Sequence, residues 1–389
     1  MKFRSLALLT LAEVAALSLW FVSAAVLPDM LREVHISHAR AATLSSGVQA
    51  GFVIGALGSA MLGLADRFDP RRVMASAAAG AGLTNAVLLV VAPGSLIAIA
   101  ARVATGALLA GVYPVGMKIA VGWGQKDRGM LVGVLVGGTI LGSAVPHLFS
   151  FFGGADWRLS VALASLAAIA GGLVCLMASL GPYHGVAAKF HPRMIAAAWT
   201  NRRVRLAYAG YLGHMWELYA MWAWIGAAAA ISYGASLPPS EAVPLAKLST
   251  FLSIAVGGIA SGLAGLVADR IGKANLAIIA MAVSGASALA TAATFGGPVW
   301  LTFAIVIVWG AAISPDSPQF SALVADAAPP EQAGSLLTFQ TALGFGLTIA
   351  TVQLAPMVAA AIGWPAFLAL LALGPAFGIT AMLRLRAMG

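Results

Sequence analysis

Apolar runs of about 20 residues alternate with short polar clusters along the whole chain, and about 20 helical residues are needed to cross ~30 Å of hydrocarbon. The runs are too long and too uniformly apolar for barrel strands. Backbone groups in lipid must satisfy one another, so the pattern predicts helices. Twelve spans are expected, at about 5–27, 42–64, 73–92, 95–118, 129–150, 159–180, 207–232, 246–267, 275–294, 299–323, 335–360 and 364–383. The first run follows Lys2 and Arg4 as a signal peptide would, but it reaches Leu27 and matches a later segment, so it is read as a span. The fold class is all-α: a membrane protein of twelve transmembrane helices in two six-helix bundles.

Composition agrees with this pattern. Of 389 residues, 61% are hydrophobic and 9% charged, with a mean hydropathy of +0.94, which no soluble surface tolerates. The net charge of +9 forms no basic stripe with interleaved aromatics, so no nucleic-acid partner is expected. Instead the basic residues mark orientation. With an even number of spans, sixteen Lys and Arg fall on the side of the termini and four (Arg32, Arg40, Arg158 and Lys247) on the other, with Arg102 and Lys118 inside the fourth span. This bias places both termini in the cytoplasm, here of a bacterial inner membrane. The single Cys175 allows no intrachain disulfide. A polar stretch with Pro182, Pro192 and five basic residues divides the chain, giving an N-terminal bundle at 1–181, a linker at 182–206 and a C-terminal bundle at 207–389.

An internal repeat runs at an offset of about 204 residues: Asp66-Arg67 recurs as Asp269-Arg270, Gly55 as Gly258, Gly106 as Gly310 and Pro114 as Pro318. An offset of six helices preserves orientation, so the halves are parallel repeats related by an axis along the membrane normal, enclosing one pathway. The loops Gly63-Leu64-Ala65-Asp66-Arg67-Phe68-Asp69-Pro70-Arg71-Arg72 and Gly265-Leu266-Val267-Ala268-Asp269-Arg270-Ile271-Gly272-Lys273 resemble the duplicated signature loop of the major facilitator superfamily. The first departs from the pattern at Leu62 and Asp69. Arg102, Gly106, Gly111 and Pro114 are similar to that family's fourth-helix motif. The fifth span, with Gly133, Gly137, Gly138, Gly142 and Pro146, partly resembles its antiporter motif, with Gly138 in place of a Pro. The same glycines equally serve close helix packing. The resemblance implies that Asp66, Arg67, Asp269 and Arg270 gate the inward side, and that the first, fourth, seventh and tenth helices line the cavity.

Ionisable groups inside spans are functional candidates. Glu13 and Glu217 stand at the repeat offset, each followed seven residues later by Trp, at Trp20 and Trp224. Seven residues are about two turns, which puts carboxylate and indole on one face of a continuous helix. A desolvated carboxylate exchanges a proton when its access to water changes, so Glu13, Glu217 and then Asp316 are the proton-coupling candidates. Trp20, Arg102, Tyr113, His214, Trp224 and Gln319 are the candidate substrate contacts, Arg102 serving either proton handling or an anionic solute. No cofactor, metal site or catalytic triad is indicated. The expected function is a monomeric, proton-coupled secondary transporter exporting a small apolar or cationic solute; the alternative is uptake of a small anion or organic acid.

Overall fold

The computed structural model describes all residues except 64–66, 125–127, 155, 186–195 and 389. The described residues form helices and no strand. Eleven helical stretches are long and apolar enough to cross a membrane, beginning with Lys2–Glu33 and ending with Trp364–Arg386. The remaining one, the seventh span Arg202–Tyr233, has 32 residues. That is ample length at ~1.5 Å per residue. It falls outside the apolar set because it carries His214, Glu217 and several aromatics, and most of its residues are buried. A polar helix survives in lipid by being wrapped in other helices.

Several ends follow from local sequence. Asp69 caps the third span by accepting the Arg71 N–H at 2.9 Å, with Pro70 in the first turn, where its missing N–H costs nothing. The Arg71 guanidinium pairs with the same carboxylate at 2.7 Å and donates to Ala178 O at 3.1 Å, tying the third span to the end of the sixth. These donors hold the Asp69 carboxyl below its ordinary range, the Arg71 side-chain hydrogen bond contributing most. Asn201 caps the seventh span through the Arg203 and Val204 N–H groups.

Three spans expected as single helices are broken over three or more residues, and the twelfth is interrupted at the single residue Ala372. The fourth divides into Leu96–Leu109 and Tyr113–Val121. The tenth divides into Val299–Ile313 and Ser317–Ala327. Both second segments carry a proline in the first turn, Pro114 and Pro318, and a proline removes the i→i−4 bond and crowds the preceding turn. The repeat therefore encodes a matched pair of helix breaks. Gly106 and Gly310 are matched as well: a Cβ on the first would overlap the Val48 carbonyl of the second span, and on the other the Ser253 carbonyl of the eighth. The third break, in the first span after Leu17, separates Lys2–Leu17 from Val22–Glu33 and has no counterpart in the continuous seventh.

Arg102 answers that break. It is fully buried. Its Nη2 donates to both Leu19 O and Trp20 O at 2.9 Å, its Nε to Leu44 O at 3.2 Å, and its Nη1 to Asn85 Oδ1 at 2.7 Å. Asn85 in turn donates to Ser165 Oγ at 2.9 Å. One guanidinium thus joins the first, second, third and fourth spans, with the sixth attached through Asn85. The two carbonyls exposed by unwinding are satisfied by a planar, permanently charged fork.

The halves meet along two long helix pairs, the fifth with the eighth and the second with the eleventh. In the first pair a Cβ on Gly137 would come within 3.0 Å of Gly258 O, so these fifth-span glycines permit close approach between halves. Gly138 and Gly142 face Thr10 and Val14 of the first span instead. Further contacts between halves gather toward the face opposite the termini. Lys247, expected at the outer end of the eighth span, is buried two turns inside that helix, and its Nζ donates to Asp29 Oδ2 at 2.6 Å, Ser150 O at 3.1 Å and Gly154 O at 2.8 Å. Gln353 of the eleventh span accepts from Ser46 at 2.9 Å and Thr43 at 3.2 Å, and donates to Ala39 O at 3.1 Å. This far face is closed.

Two outcomes test these assignments. Arg102→Lys and Arg102→Met should each lower stability by roughly 3 kcal/mol or more, because neither can satisfy the freed carbonyls. Unfolding in mixed detergent micelles measures this, and wild-type stability in the Lys variant would refute the staple. Lys247→Met leaves the buried Asp29 with only the half-exposed Arg32 at 3.6 Å, a loss of about 3 kcal/mol or less to the closed far face. In a Cys175→Ala background, a cysteine at Ser23 should then label several-fold faster with an impermeant thiol reagent applied from that face.

Candidate functional site

Six rings fill the mid-depth space between the halves. Trp20, Phe21 and Phe52 come from the N-terminal half, and Tyr219, Trp222 and Phe345 from the other. Trp20 lies 5.9 Å from Tyr219 and 5.4 Å from Phe345, Phe21 lies 5.7 Å from both Tyr219 and Trp222, and Phe52 lies 4.8 Å from Phe345. All six are buried. Trp20 and Phe21 sit at the break in the first span, so the turn held by Arg102 places their rings across the interface. The indole N–H groups of Trp20 and Trp222 have no partner in this packing.

Below and beside the rings lie the buried carboxylates. Glu13 is fully buried, and neither of its oxygens has a hydrogen-bond partner among the described residues. It faces the fourth span at Gly116, where a Cβ would stand 3.1 Å from Oε1. The glycine makes room for the carboxylate. Tyr113, half-buried at the start of the second segment of that span, is close enough to feel its charge.

In the C-terminal half, Glu217 accepts from Trp309 Nε1 at 2.7 Å and lies 2.9 Å from Ser284 Oγ. Its carboxylate points among the seventh, ninth and tenth spans rather than across to the other half. Asp316 sits at the N-terminal boundary of the Ser317–Ala327 helix, in the break of the tenth span, with His214 Nδ1 3.0 Å from its Oδ1 and both side chains buried. Asp316 and Glu217 are within electrostatic reach of each other. Gln319 is buried one turn further along. The structure therefore gathers His214, Glu217 and Asp316 into one cluster and leaves Glu13 on the other side of the interface.

Other expected contacts lie elsewhere. Trp224 donates to Val352 O at 3.0 Å and packs 6.1 Å from Trp364, within the core of the C-terminal half. The shared-face argument for Glu13 and Trp20 required a continuous helix, which the break after Leu17 removes. Four of the five Arg102 N–H donors are committed to protein acceptors in this structure. Of the gating residues, Asp66 lies outside the described residues and Arg67 is exposed. Asp269 lines a cavity of about 540 Å³ on the face of the termini with Arg203, Lys273 and Asp326, and Arg270 is exposed beside it.

Sequence reasoning missed Trp309 and Ser284 as partners of Glu217, and the Asp29–Lys247 pair. Lys247 did carry a signal, as the only lysine or arginine between Arg205 and Arg270. Nothing local marks Ser284 or Trp309, because their role depends on which faces of three helices meet.

A comparison with curated proteins finds no match. Among solved structures, the chain is similar to the xylose transporter XylE from E. coli in a partially occluded inward open conformation, at 15% identity and a TM-score of 0.72, over 99% of this chain and 97% of that one. At that identity the likeness concerns the fold, and it extends to the full two-bundle arrangement. The family model of the Major Facilitator Superfamily matches residues 9–337, which contain Glu13, Arg102, Glu217 and Asp316. The chain accordingly belongs to the Major Facilitator Superfamily and is a multi-pass membrane transporter, not an enzyme.

Proposed function

We propose that this transporter couples proton movement to the passage of a small apolar or cationic organic solute, exporting it by alternating access. The observation that carries the reading is the state of the buried carboxylates. Among the described residues, Glu13 has no hydrogen-bond partner, Glu217 has only the neutral donors Trp309 and Ser284, and Asp316 has His214 Nδ1 at 3.0 Å. An ionised carboxylate in such a place is stable only with hydration or a cation. Each is thus suited to bind a proton while closed off and to release it when water returns. A cationic solute could take the proton's place.

The aromatic cluster supports the same solute class. Rings at the interface favour flat apolar or cationic groups, and the unpartnered indole N–H groups of Trp20 and Trp222 would donate to a solute entering between them. Anion uptake loses its anchor, since the donors of Arg102 already hold Leu19, Trp20, Leu44 and Asn85. The charge distribution supports both termini lying in the cytoplasm, and the chain is proposed to act as a monomer in a bacterial inner membrane.

Reconstituted protein in liposomes under an imposed pH gradient tests this. Cationic compounds should exchange for protons, and the double variant Glu13→Gln, Glu217→Gln should lose proton-linked flux while keeping the wild-type elution profile. Proton movement unchanged in that variant would overturn the coupling assignment.

A further inference from the structure

Glu217 differs from Glu13 in that its surroundings satisfy it in either protonation state. Trp309 Nε1 can only donate, and it donates to Glu217 Oε1 at 2.7 Å. That fixes Oε1 as an acceptor in both states and confines any proton to Oε2. The neighbour of Oε2 is the Ser284 hydroxyl at 2.9 Å, which also lies 3.2 Å from Met281 O, one turn back on its own helix. A hydroxyl both donates and accepts. When Glu217 is ionised, Ser284 O–H points to Oε2. When Glu217 is protonated, Oε2–H donates to Ser284 Oγ and the serine proton turns to Met281 O. One rotation of one bond exchanges the two arrangements, and neither leaves a buried polar atom of this trio unpaired.

We infer that Ser284 is the positioning residue of the proton site at Glu217, a reversing hydrogen-bond partner that lets the buried carboxyl load and unload a proton without repacking. The inference rests on the proton-coupled reading above. Among the described residues, the ionisable groups facing this carboxyl are Asp316 on the tenth span and His214 one turn before it on its own helix. The seventh span also carries Tyr211 on that side, packed on His214. The charges of the other neighbours stand toward their ends: Asp269 and Arg270 of the eighth, Lys273 of the ninth, Asp326 of the tenth, and Arg384 and Arg386 of the twelfth at the face of the termini, with Glu241 and Lys247 of the eighth at the far face, the latter bound to Asp29. The Glu217 site therefore holds its proton by hydrogen bonding among neutral groups, with the His214–Asp316 pair as its electrostatic neighbour.

Infrared difference spectroscopy of the reconstituted protein, titrated with pH, reads this site without a known solute. A carboxyl C=O band that disappears in Glu217→Gln reports its protonation. Ser284→Ala should raise the midpoint of that band by about one pH unit, because both bonds are lost and the one to the ionised carboxyl is worth more than the one from the neutral acid. Ser284→Thr, which keeps the hydroxyl, should leave the midpoint in place. Trp309→Phe should shift the frequency of the band, because the C=O loses its donor. A midpoint unmoved in Ser284→Ala, or a Thr variant that behaves as Ala does, would overturn the inference, and so would the absence of any titrating Glu217 band in folded wild type. If the band behaves as expected while solute flux ignores the pH gradient, the proton site stands and the coupled-export reading falls.

Discussion

The fold turns on how a buried, unwound backbone is satisfied. In lipid a free carbonyl has no water to turn to, and the first span opens two of them at Leu19 and Trp20. Arg102 meets both and reaches Leu44 and Asn85 with its remaining donors. A lysine in the same place has three donors around one nitrogen and cannot bridge acceptors on three separate helices with a flat fork. Because the turn is held, Trp20 and Phe21 leave the helix at fixed angles and meet Tyr219, Trp222 and Phe345 across the interface. The ring cluster between the two halves is thereby set by a guanidinium on the fourth span.

The two halves share a frame and divide the chemistry. Breaks in the fourth and tenth spans, with Pro114 and Pro318, stand at the repeat offset, as do the close approaches of Gly106 and Gly310. At the fourth-span break nothing ionisable replaces Asp316: the matching position is Val112. At the tenth-span level nothing replaces Arg102: its counterpart is Val306. The N-terminal half therefore uses its buried charge to hold backbone, while the C-terminal half places an acid and a histidine in a break whose own geometry is maintained by proline. Pseudo-symmetry supplies two similar bundles, and the departures from it give each one a separate task.

Spans, the repeat and the closeness of the halves were legible because they rest on periodic properties: run length, a constant offset, and small residues at helix spacing. Glu13 and Glu217 were legible as buried acids for the same reason. Their surroundings were not, since rotation of a helix by a few tens of degrees decides whether a side chain faces a neighbour or the pathway. Trp224 shows this, matching Trp20 in sequence yet bonding Val352 O inside its own half. Arg102 shows it too, because an arginine in a span reads as a ligand contact until the break it serves is seen. That break has no proline of its own at Ser18–Phe21, and so it left no local mark.

The closed far face raises a question of reversibility, since a transporter must open what it closes. Buried ion pairs answer it well. Asp29 and Lys247 each forfeit hydration to meet at 2.6 Å, so much of their attraction only offsets that cost. When the halves part at this rim both groups return to water together and regain hydration, which keeps the free-energy difference between closed and open small. Removing a single partner is different, because the survivor stays dehydrated in the closed state with weaker compensation: Asp29 keeps only Arg32 at 3.6 Å, and Lys247 only the carbonyls of Ser150 and Gly154. The same reasoning explains the position of the pair. At mid-depth, where water arrives last, the closure is made by rings, which part without leaving an unpaired charge behind. Charge at the rim and aromatics at the centre form a seam that can open from the outside inward, with no intermediate in which an ion stands alone in the dry interior.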